Sequence, residues 1–151
     1  MSRIFSLHFP VPEDAIDEFG HVNNLKYLGW MQDLAIQHSA AQGWPIERYV
    51  ELGQAWVVQS HFIKYVRPAF AGEQISLFTW IAGFSPRSSP RKYLFWRPAD
   101  QQVLAEAETM WVYVDMKSGH PRHLPTDLRD AFEIVDDPNE IMQLARSTVP
   151  A

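Results

Sequence analysis

The segment from Asp17 to Asn24 places an acid, an imidazole and two amides within eight residues. It reads Asp-Glu-Phe-Gly-His-Val-Asn-Asn and lies where a turn-like stretch gives way to a helical pattern. The start of a helix has free N–H groups and carries about half a positive charge. Such a junction can stabilise a developing negative charge while a carboxylate or a water molecule attacks beside it. The segment therefore outlines a reaction site.

The elements that must position this site are one strand, a long helix and four further strands. We expect the first strand over residues 4–9 and the helix from Asn23 or Asn24, either of which can cap it, to about residue 42. The later strands are expected over residues 55–66, 74–83, 92–97 and 103–115. Because the connections between them are short, an antiparallel meander is favoured over parallel units. The predicted fold class is α+β, with an antiparallel sheet of about five strands wrapped around a long central helix.

Shorter elements complete a chain that is most simply one domain at 151 residues. Short helices are predicted over residues 46–52, ending at Gly53 in the left-handed conformation, and over residues 127–132. We expect a single domain over residues 1–135, followed by a polar C-terminal tail over residues 136–151. That tail contains a weak helical pattern at residues 139–145.

The composition excludes several classes of function. There is no cysteine, which removes thiolate catalysis, disulfides and cysteine-based zinc sites. The formal net charge of −5 argues against a general nucleic-acid-binding protein. No stretch approaches the ~20 apolar residues of a membrane span, and the N-terminal residues lack a signal-peptide pattern. We therefore expect a cytoplasmic protein with neither a nucleic-acid nor a membrane partner.

A histidine pair near the C-terminal third has the spacing of metal ligands. His120 and His123 are separated by two residues, but Pro121 places them in a turn and no further ligand set is evident. We expect a surface pair, and we predict neither a metal site nor a cofactor.

Aromatic residues make up 13% of the chain, which is a large share for a small domain to bury. They indicate either a core with an oligomer interface or an apolar ligand tunnel, and both can hold. One curved sheet of four or five strands cannot cover a lone helix on all sides. A second copy is expected to complete the structure, as a homodimer or a homotetramer.

The helix-start motif resembles that of hotdog-fold acyl-CoA thioesterases of the 4-hydroxybenzoyl-CoA thioesterase family. It is also similar to the matching segment of plant acyl-ACP thioesterases. The motif reads Asp17-x-x-Gly20-His21-Val22-Asn23-Asn24-x-x-Tyr27-x-Gly29-Trp30, and later landmarks are Tyr65-Val66-Arg67-Pro68, Gly72-Glu73, Val114-Asp115, Gly119 and Leu124-Pro125. The resemblance covers about residues 4–132. It implies the hotdog fold and hydrolysis of an acyl-CoA or acyl-ACP thioester.

The resemblance also implies roles for three catalytic residues. Asp17 matches a carboxylate that acts as the nucleophile or as the base for water, and the N–H of Asn24 matches the amide that polarises the thioester carbonyl. His21 matches a catalytic histidine of the plant enzymes. The plant pattern has an asparagine where this chain has Phe19, so that version of the catalytic network is not intact. The CoA-dependent enzymes need no residue there, and we favour them.

Further residues are candidates for substrate binding, each with a structural alternative. Gly20 and Asn23 shape or cap the turn, and Tyr27 can equally serve packing. Gln59 and Ser60 lie on the first long strand, where they either hold the water from the dimer partner or form an ordinary outward face. The resemblance implies that a basic and hydroxyl-bearing connection contacts the CoA phosphates, with a solvated hairpin loop as the alternative. Its residues are Arg87, Ser89, Arg91 and Lys92.

Three functions remain open from the sequence. Thioester hydrolysis by Asp17 is the leading hypothesis, and binding of acyl-CoA without turnover is the second. A hydratase or dehydratase on the same fold ranks last, because the Asp/His arrangement expected after the helix is missing. The acyl length, aliphatic or aromatic character, the carrier, the oligomer size, and the choice between nucleophile and base for Asp17 stay undetermined.

Overall fold

The computed structural model describes residues 3–148 and contains five strands, four α-helices and one 3-10 turn within that range. In chain order these are β1 (Ile4–Pro10), the 3-10 turn (Glu13–Ala15), α1 (Asn24–Ala41), α2 (Ile46–Leu52), β2 (Gln54–Tyr65), β3 (Gln74–Ile81), β4 (Ser88–Arg97), β5 (Gln102–Asp115), α3 (Thr126–Asp130) and α4 (Pro138–Arg146). Among these residues, no helix is both long enough and apolar enough to span a membrane.

The strands form one antiparallel sheet in the order β1-β3-β4-β5-β2. This confirms the prediction of a long helix with an antiparallel sheet of about five strands. The strand limits agree with the sequence to within two residues except for β4. That strand begins at Ser88, four residues before its predicted start at Lys92, so most of the expected connection is part of the sheet.

Helix α1 packs one face against the sheet because its apolar residues recur at helical spacing. Its buried side chains are Tyr27, Met31, Leu34, Ala35 and His38. The opposite face is not covered by this chain: Leu25 is 73% exposed and Ile36 is 36% exposed. One protomer therefore leaves part of the helix uncovered, as expected for a single curved sheet.

Part of the predicted C-terminal tail is a helix that packs on the sheet. Helix α4 lies on the face of the sheet opposite α1, and Ile141 and Ala145 form a buried cluster with sheet residues that include Phe78 and Trp96. Asp137 caps this helix by accepting a hydrogen bond from the N–H of Asn139 at 3.0 Å. Residues 138–146 are thus packed on the sheet, although the sequence places them in a polar tail. The domain limit at residue 135 stays a prediction.

Strand β2 is an edge of the sheet and carries exposed apolar side chains. It pairs with β5 on one side only, and its register shifts between Val58 and Ser60, which places a β-bulge at Gln59. Val57 is 44% exposed, Val58 is 40% exposed and Phe62 is 66% exposed. This edge and the uncovered face of α1 both expose apolar side chains.

Candidate active site

Asp17 lies in a tight turn that its own carboxylate helps to hold. The N–H of Phe19 donates to Oδ1 of Asp17 at 2.9 Å, and the N–H of Gly20 donates to the Asp17 carbonyl at 3.1 Å. Gly20 has a φ of 88°, a left-handed conformation that favours glycine. The N–H of Asp17 then donates to the carbonyl of His21 at 2.9 Å, which closes the turn. The backbone therefore fixes the Asp17 carboxylate without covering it.

The imidazole of His21 stands next to this carboxylate. Nδ1 of His21 is 3.6 Å from Oδ2 of Asp17, and the two side chains are 40% and 20% exposed. This separation is longer than a hydrogen bond, so the imidazole is close to the acid without being locked to it. Phe19, 79% exposed, stacks on the His21 ring at a centroid distance of 6.5 Å. The carboxylate is sheltered on one side and still accessible to water.

The same turn is fastened to the start of α1. The N–H of Asn23 donates to the Ala15 carbonyl at 2.8 Å, and the N–H of Val22 donates to the Ala69 carbonyl at 2.9 Å. Of the two predicted caps, Asn23 is the one that caps the helix, because its Oδ1 accepts from the N–H of Leu25 at 2.9 Å. Asn24 opens the helix, and its N–H donates to no described residue, as expected in the first turn. One short segment thus holds both the acid and a free helix-start donor.

A basic side chain outside the predicted site, Arg97, supports this segment. Nη1 of Arg97 donates to Oε1 of Glu73 at 3.0 Å and to the Pro68 carbonyl at 3.2 Å, while Nη2 donates to Asp100 at 2.9 Å. These bonds hold the loop at residues 66–73, whose Ala69 carbonyl anchors the site turn. In the sequence, this support is indicated by the Gly72-Glu73 landmark and by the Arg-x-x-Asp spacing from Arg97 to Asp100.

Tyr27 is a packing residue in this structure. Its ring makes edge-on contacts with Tyr65 at 5.2 Å and with Phe95 at 4.9 Å between centroids. Burial raises the pKa of Tyr27 to about 12, so its hydroxyl stays neutral and does not serve as a base near neutral pH. The Tyr65 hydroxyl reaches the Asn24 carbonyl at 3.4 Å, which links β2 to the helix start.

The candidates on β2, Gln59 and Ser60, are both exposed at the free edge of the sheet. Gln59 is the bulge residue, and bulges are frequent beside active sites because they redirect side chains. Within one chain neither residue belongs to the turn that holds Asp17. A role for them requires the partner protomer, as the sequence analysis expected, and stays a prediction.

The predicted phosphate-binding connection requires a correction. Ser89 and Arg91 lie in β4 and are 2% and 4% exposed, so they are not part of a solvated loop. The Ser89 hydroxyl donates to the Gly83 carbonyl at 2.7 Å. Buried side chains are poor contacts for a solvated CoA phosphate, so the phosphate prediction is kept for Arg87 and Lys92, which are exposed. The error arose because prolines at positions 86 and 90 are typical of a long loop.

A cavity of roughly 310 Å³ lies between α1, α2 and the sheet. It opens at the surface, since its lining includes the exposed side chains of Ile36, Ile46 and Val50. Trp44, Trp56 and Phe132 are among its apolar walls. Asp17 does not line it. Gln32 and Ile36 do, at about 12 Å and 18 Å along the helix from Asn24. Within one chain the carboxylate and the cavity are therefore separate.

The arrangement at the helix start suits attack on a polarised carbonyl more than metal chemistry. Among residues 3–148, no three His, Cys, Asp or Glu side chains are grouped closely enough to hold a metal ion. His120 and His123 are exposed in the segment between β5 and α3. What the site offers is an acid, a nearby imidazole and an unpaired N–H donor.

The family profile and the relatives that match this sequence are all described as thioesterases or thioesterase-like. The sequence profile of the family described as the Thioesterase-like superfamily matches residues 10–132. A chloroplastic acyl-acyl carrier protein thioesterase of Arabidopsis thaliana is 23% identical over 132 residues, which cover 87% of this chain and 69% of that protein. A long-chain acyl-CoA thioesterase of Escherichia coli K12 is 24% identical over 121 residues, which cover 78% of this chain and 89% of that protein.

The fold is shared with a solved thioesterase. A 4-hydroxybenzoyl-CoA thioesterase carrying an aspartate-to-asparagine substitution, in complex with 4-hydroxybenzoyl-CoA, superimposes with a TM-score of 0.80 at 18% identity. The match covers 87% of this chain and 100% of that chain. This confirms the hotdog fold expected from the sequence.

Proposed function

The chain belongs to the Thioesterase-like superfamily, and from that premise we propose that it hydrolyses an acyl-CoA thioester at the start of α1. Family membership supports thioester hydrolysis in general. The CoA carrier and the roles of individual residues are the proposal. The observation that carries it is that one turn fixes the Asp17 carboxylate and leads directly into a helix start whose first N–H has no partner within residues 3–148.

The proposed reaction begins with the thioester carbonyl oxygen at the Asn24 N–H. This donor and the positive end of the helix dipole stabilise the negative charge that develops on the oxygen. Asp17 then acts in one of two ways. It attacks the carbonyl carbon and expels the CoA thiolate, leaving an anhydride that water hydrolyses, or it removes a proton from a water molecule that attacks instead. Both routes release a free acid and CoA.

His21 is proposed to orient Asp17 and the substrate. Its Nδ1 lies 3.6 Å from the carboxylate, so a small movement of either side chain brings them into hydrogen-bond contact. Gly20 and Asn23 are proposed to shape the backbone: Gly20 permits the turn, and the Asn23 side chain caps the first helical N–H groups. Arg87 and Lys92 are proposed to contact CoA phosphates because they are the exposed basic residues of this region.

A homodimer is proposed to bring the cavity and the acid together. The exposed edge of β2 and the uncovered face of α1 are both apolar, and a two-fold axis would place the same surfaces of two copies against each other. Antiparallel helices across such an axis set the amino end of one α1 beside the later turns of the other. The cavity of one protomer, which begins at Gln32 and Ile36, then lies near Asp17 of its partner.

The proposal is tested by incubating the purified protein with short-chain, long-chain and aryl CoA esters and with one acyl-ACP. Release of free thiol is followed with a thiol-reactive dye. We expect turnover of at least one CoA ester at a higher kcat/KM than the acyl-ACP. If the protein binds these esters and leaves them intact, the family member is a binding protein, and the proposal is wrong.

The interface makes a separate prediction at Val58. Replacement by lysine puts a charge into an apolar contact, so Val58→Lys is expected to shift the protein from dimer or tetramer towards monomer and to lower thioesterase activity at least about tenfold. Size-exclusion chromatography with light scattering measures the first effect. Gln143→Lys, on the exposed face of α4, adds the same charge as a control. A wild-type protein that is monomeric at all concentrations contradicts the interface.

A further inference from the structure

The cavity beside α1 contains an unexpected positive charge. Arg91 is the only Lys, Arg, Asp, Glu or His among the described residues that line it. Its side chain lies within β4 and is 4% exposed, so the guanidinium is withdrawn from bulk water. A buried charge is costly unless it is paired, and arginine remains charged in a protein. The structure therefore raises the question of what neutralises this cation.

Within the described part of the chain, the hydrogen-bond partners of Arg91 are uncharged acceptors. Nη1 donates to Nδ1 of His38 at 2.9 Å and to Oγ1 of Thr79 at 3.0 Å. Both hydrogen bonds to described residues leave from that one nitrogen. None of the ion pairs formed within residues 3–148 includes Arg91. Burial lowers the pKa of Arg91, and no carboxylate is among the groups that oppose this effect. Residues 3–148 therefore supply no counter-charge for Arg91.

The cavity also contains a buried donor that lacks a hydrogen-bond partner among the described residues. Trp111 lines the cavity, and its Nε1–H is buried without a hydrogen-bond partner among residues 3–148. The Tyr93 hydroxyl is near enough to Trp111 for the indole to affect its pKa, but the two groups do not have hydrogen-bond geometry. In the sheet, Arg91 pairs with Thr109, two residues before Trp111 on β5. Arg91 and Trp111 are therefore diagonal neighbours on one face, within reach of a common ligand.

These observations point to the chemistry of the acyl group. We propose that the acyl chain bound in this cavity ends in a carboxylate, which pairs with Arg91 and accepts a hydrogen bond from Nε1 of Trp111. The preferred substrates are then CoA monothioesters of dicarboxylic acids. This inference rests on the proposed thioesterase function and names its substrate class. The apolar walls hold the methylene chain, while the charged end reaches the inner surface of the cavity at β4 and β5.

The size of the cavity limits the length of the chain. A volume of roughly 310 Å³ is at the lower end of ligand pockets, which favours short and medium acyl chains. The test therefore compares matched pairs of equal carbon number: adipoyl-CoA against hexanoyl-CoA, and suberoyl-CoA against octanoyl-CoA. Within each pair the two esters differ in whether the far end is a carboxylate or a methyl group.

We expect the wild-type protein to hydrolyse the carboxylate-ended ester of a pair about tenfold to a hundredfold more efficiently in kcat/KM, the range for a hydrogen bond to a charged group. Arg91→Met is expected to reverse this preference by improving the methyl-ended ester. Arg91→Lys keeps the positive charge and is expected to retain part of the preference for the carboxylate-ended ester. Trp111→Phe is expected to weaken the preference a few-fold. Arg146→Gln, on the exposed face of α4, removes an arginine elsewhere as a control and is expected to leave the ratio of the two kcat/KM values unchanged.

A purely structural role of Arg91 would give a different pattern. Arg91→Met would then lower stability and slow both esters of a pair equally, whereas removal of an unpaired buried cation should leave the melting temperature unchanged or higher. Binding is measured independently of turnover by asking whether free suberate, but not octanoate, raises the melting temperature of the wild type and fails to do so in Arg91→Met.

The outcomes separate this inference from the proposed function. The inference is wrong if both esters of a pair are hydrolysed equally well and Arg91→Met does not change their ratio. The proposed thioesterase function would still stand in that case. If no ester is hydrolysed, the proposed function fails, but the melting temperature with free suberate still tests the cavity. A rise that depends on Arg91 supports a carboxylate-binding site there, and the absence of a rise rejects one.

Discussion

Asp17→Asn is expected to lose thiol release by about 10²–10⁴-fold in kcat, because an amide neither removes a proton from water nor forms an anhydride. The substitution preserves the shape of the side chain. Its Oδ1 can still accept the 2.9 Å hydrogen bond from the Phe19 N–H, so the turn and the helix start should remain in place. KM should change little, since the carboxylate is proposed to act on the reacting atoms and not in binding. Steady-state kinetics on the best ester of the screen measures both constants.

A neighbouring acid provides the matched control for that loss. Asp14 is exposed in the 3-10 turn three residues earlier, and none of the ion pairs among residues 3–148 involves it. Asp14→Asn removes the same charge from the same loop and is expected to keep wild-type activity. Equal activity of Asp17→Asn and the wild type would remove the proposed mechanism. A similar loss in both variants would point to the charge of the loop as a whole.

Much of the fold is predictable from the sequence because the relevant signals are local. The spacing of Tyr27, Met31, Leu34 and His38 defines a helix with one buried face, and Asn23 marks its start. The four later strands are set apart by proline and glycine turns. Gly53, with a φ of 69°, ends α2 in the left-handed conformation, as predicted. These features depend on residues a few positions apart in the chain.

The elements that were misplaced depend on distant contacts. Pro90 is typical of a loop, yet it pairs with Met110 in β5 because the long neighbouring strand extends the sheet past it. The packing of α4 rests on few apolar side chains, chiefly Ile141 and Ala145, which are too few to stand out in a polar segment. The burial of Arg91 could not be predicted, since arginine is normally exposed and its acceptor His38 is 53 residues away.

The candidate site likewise has a part that is local in the sequence and a part that depends on distant contacts. The turn from Asp17 to Asn24 is contiguous, so its residues could be recognised together, and the structure holds them in one hydrogen-bonded unit. The cavity is assembled from α1, α2 and four strands, and no short sequence interval contains it. Asp17 itself does not line that cavity, and the proposed homodimer is what would bring the acid and the cavity together. The catalytic roles remain predictions that kinetics must decide.

The donor at the helix start can be tested without changing any side-chain chemistry, because proline is well tolerated at the first position of a helix. It lacks an N–H, and the Asn24 N–H makes no intrahelical bond that would be lost. Proline also restricts the preceding residue to extended conformations, and Asn23 already has a φ of −63° and a ψ of 135°. The cap is preserved, since Asn23 bonds to the N–H of Leu25.

Asn24→Pro is therefore expected to fold with an unchanged melting temperature and to lose about 10²–10³-fold in kcat, the usual effect of removing one oxyanion donor. Asn24→Ala keeps the N–H and removes only an exposed side chain, so it should retain activity within a few-fold. The ratio of the two variants isolates the backbone donor from the amide side chain. Similar activities in a folded Asn24→Pro and in Asn24→Ala would mean that the carbonyl oxygen is stabilised elsewhere. Loss in both variants would assign the role to the Asn24 side chain instead.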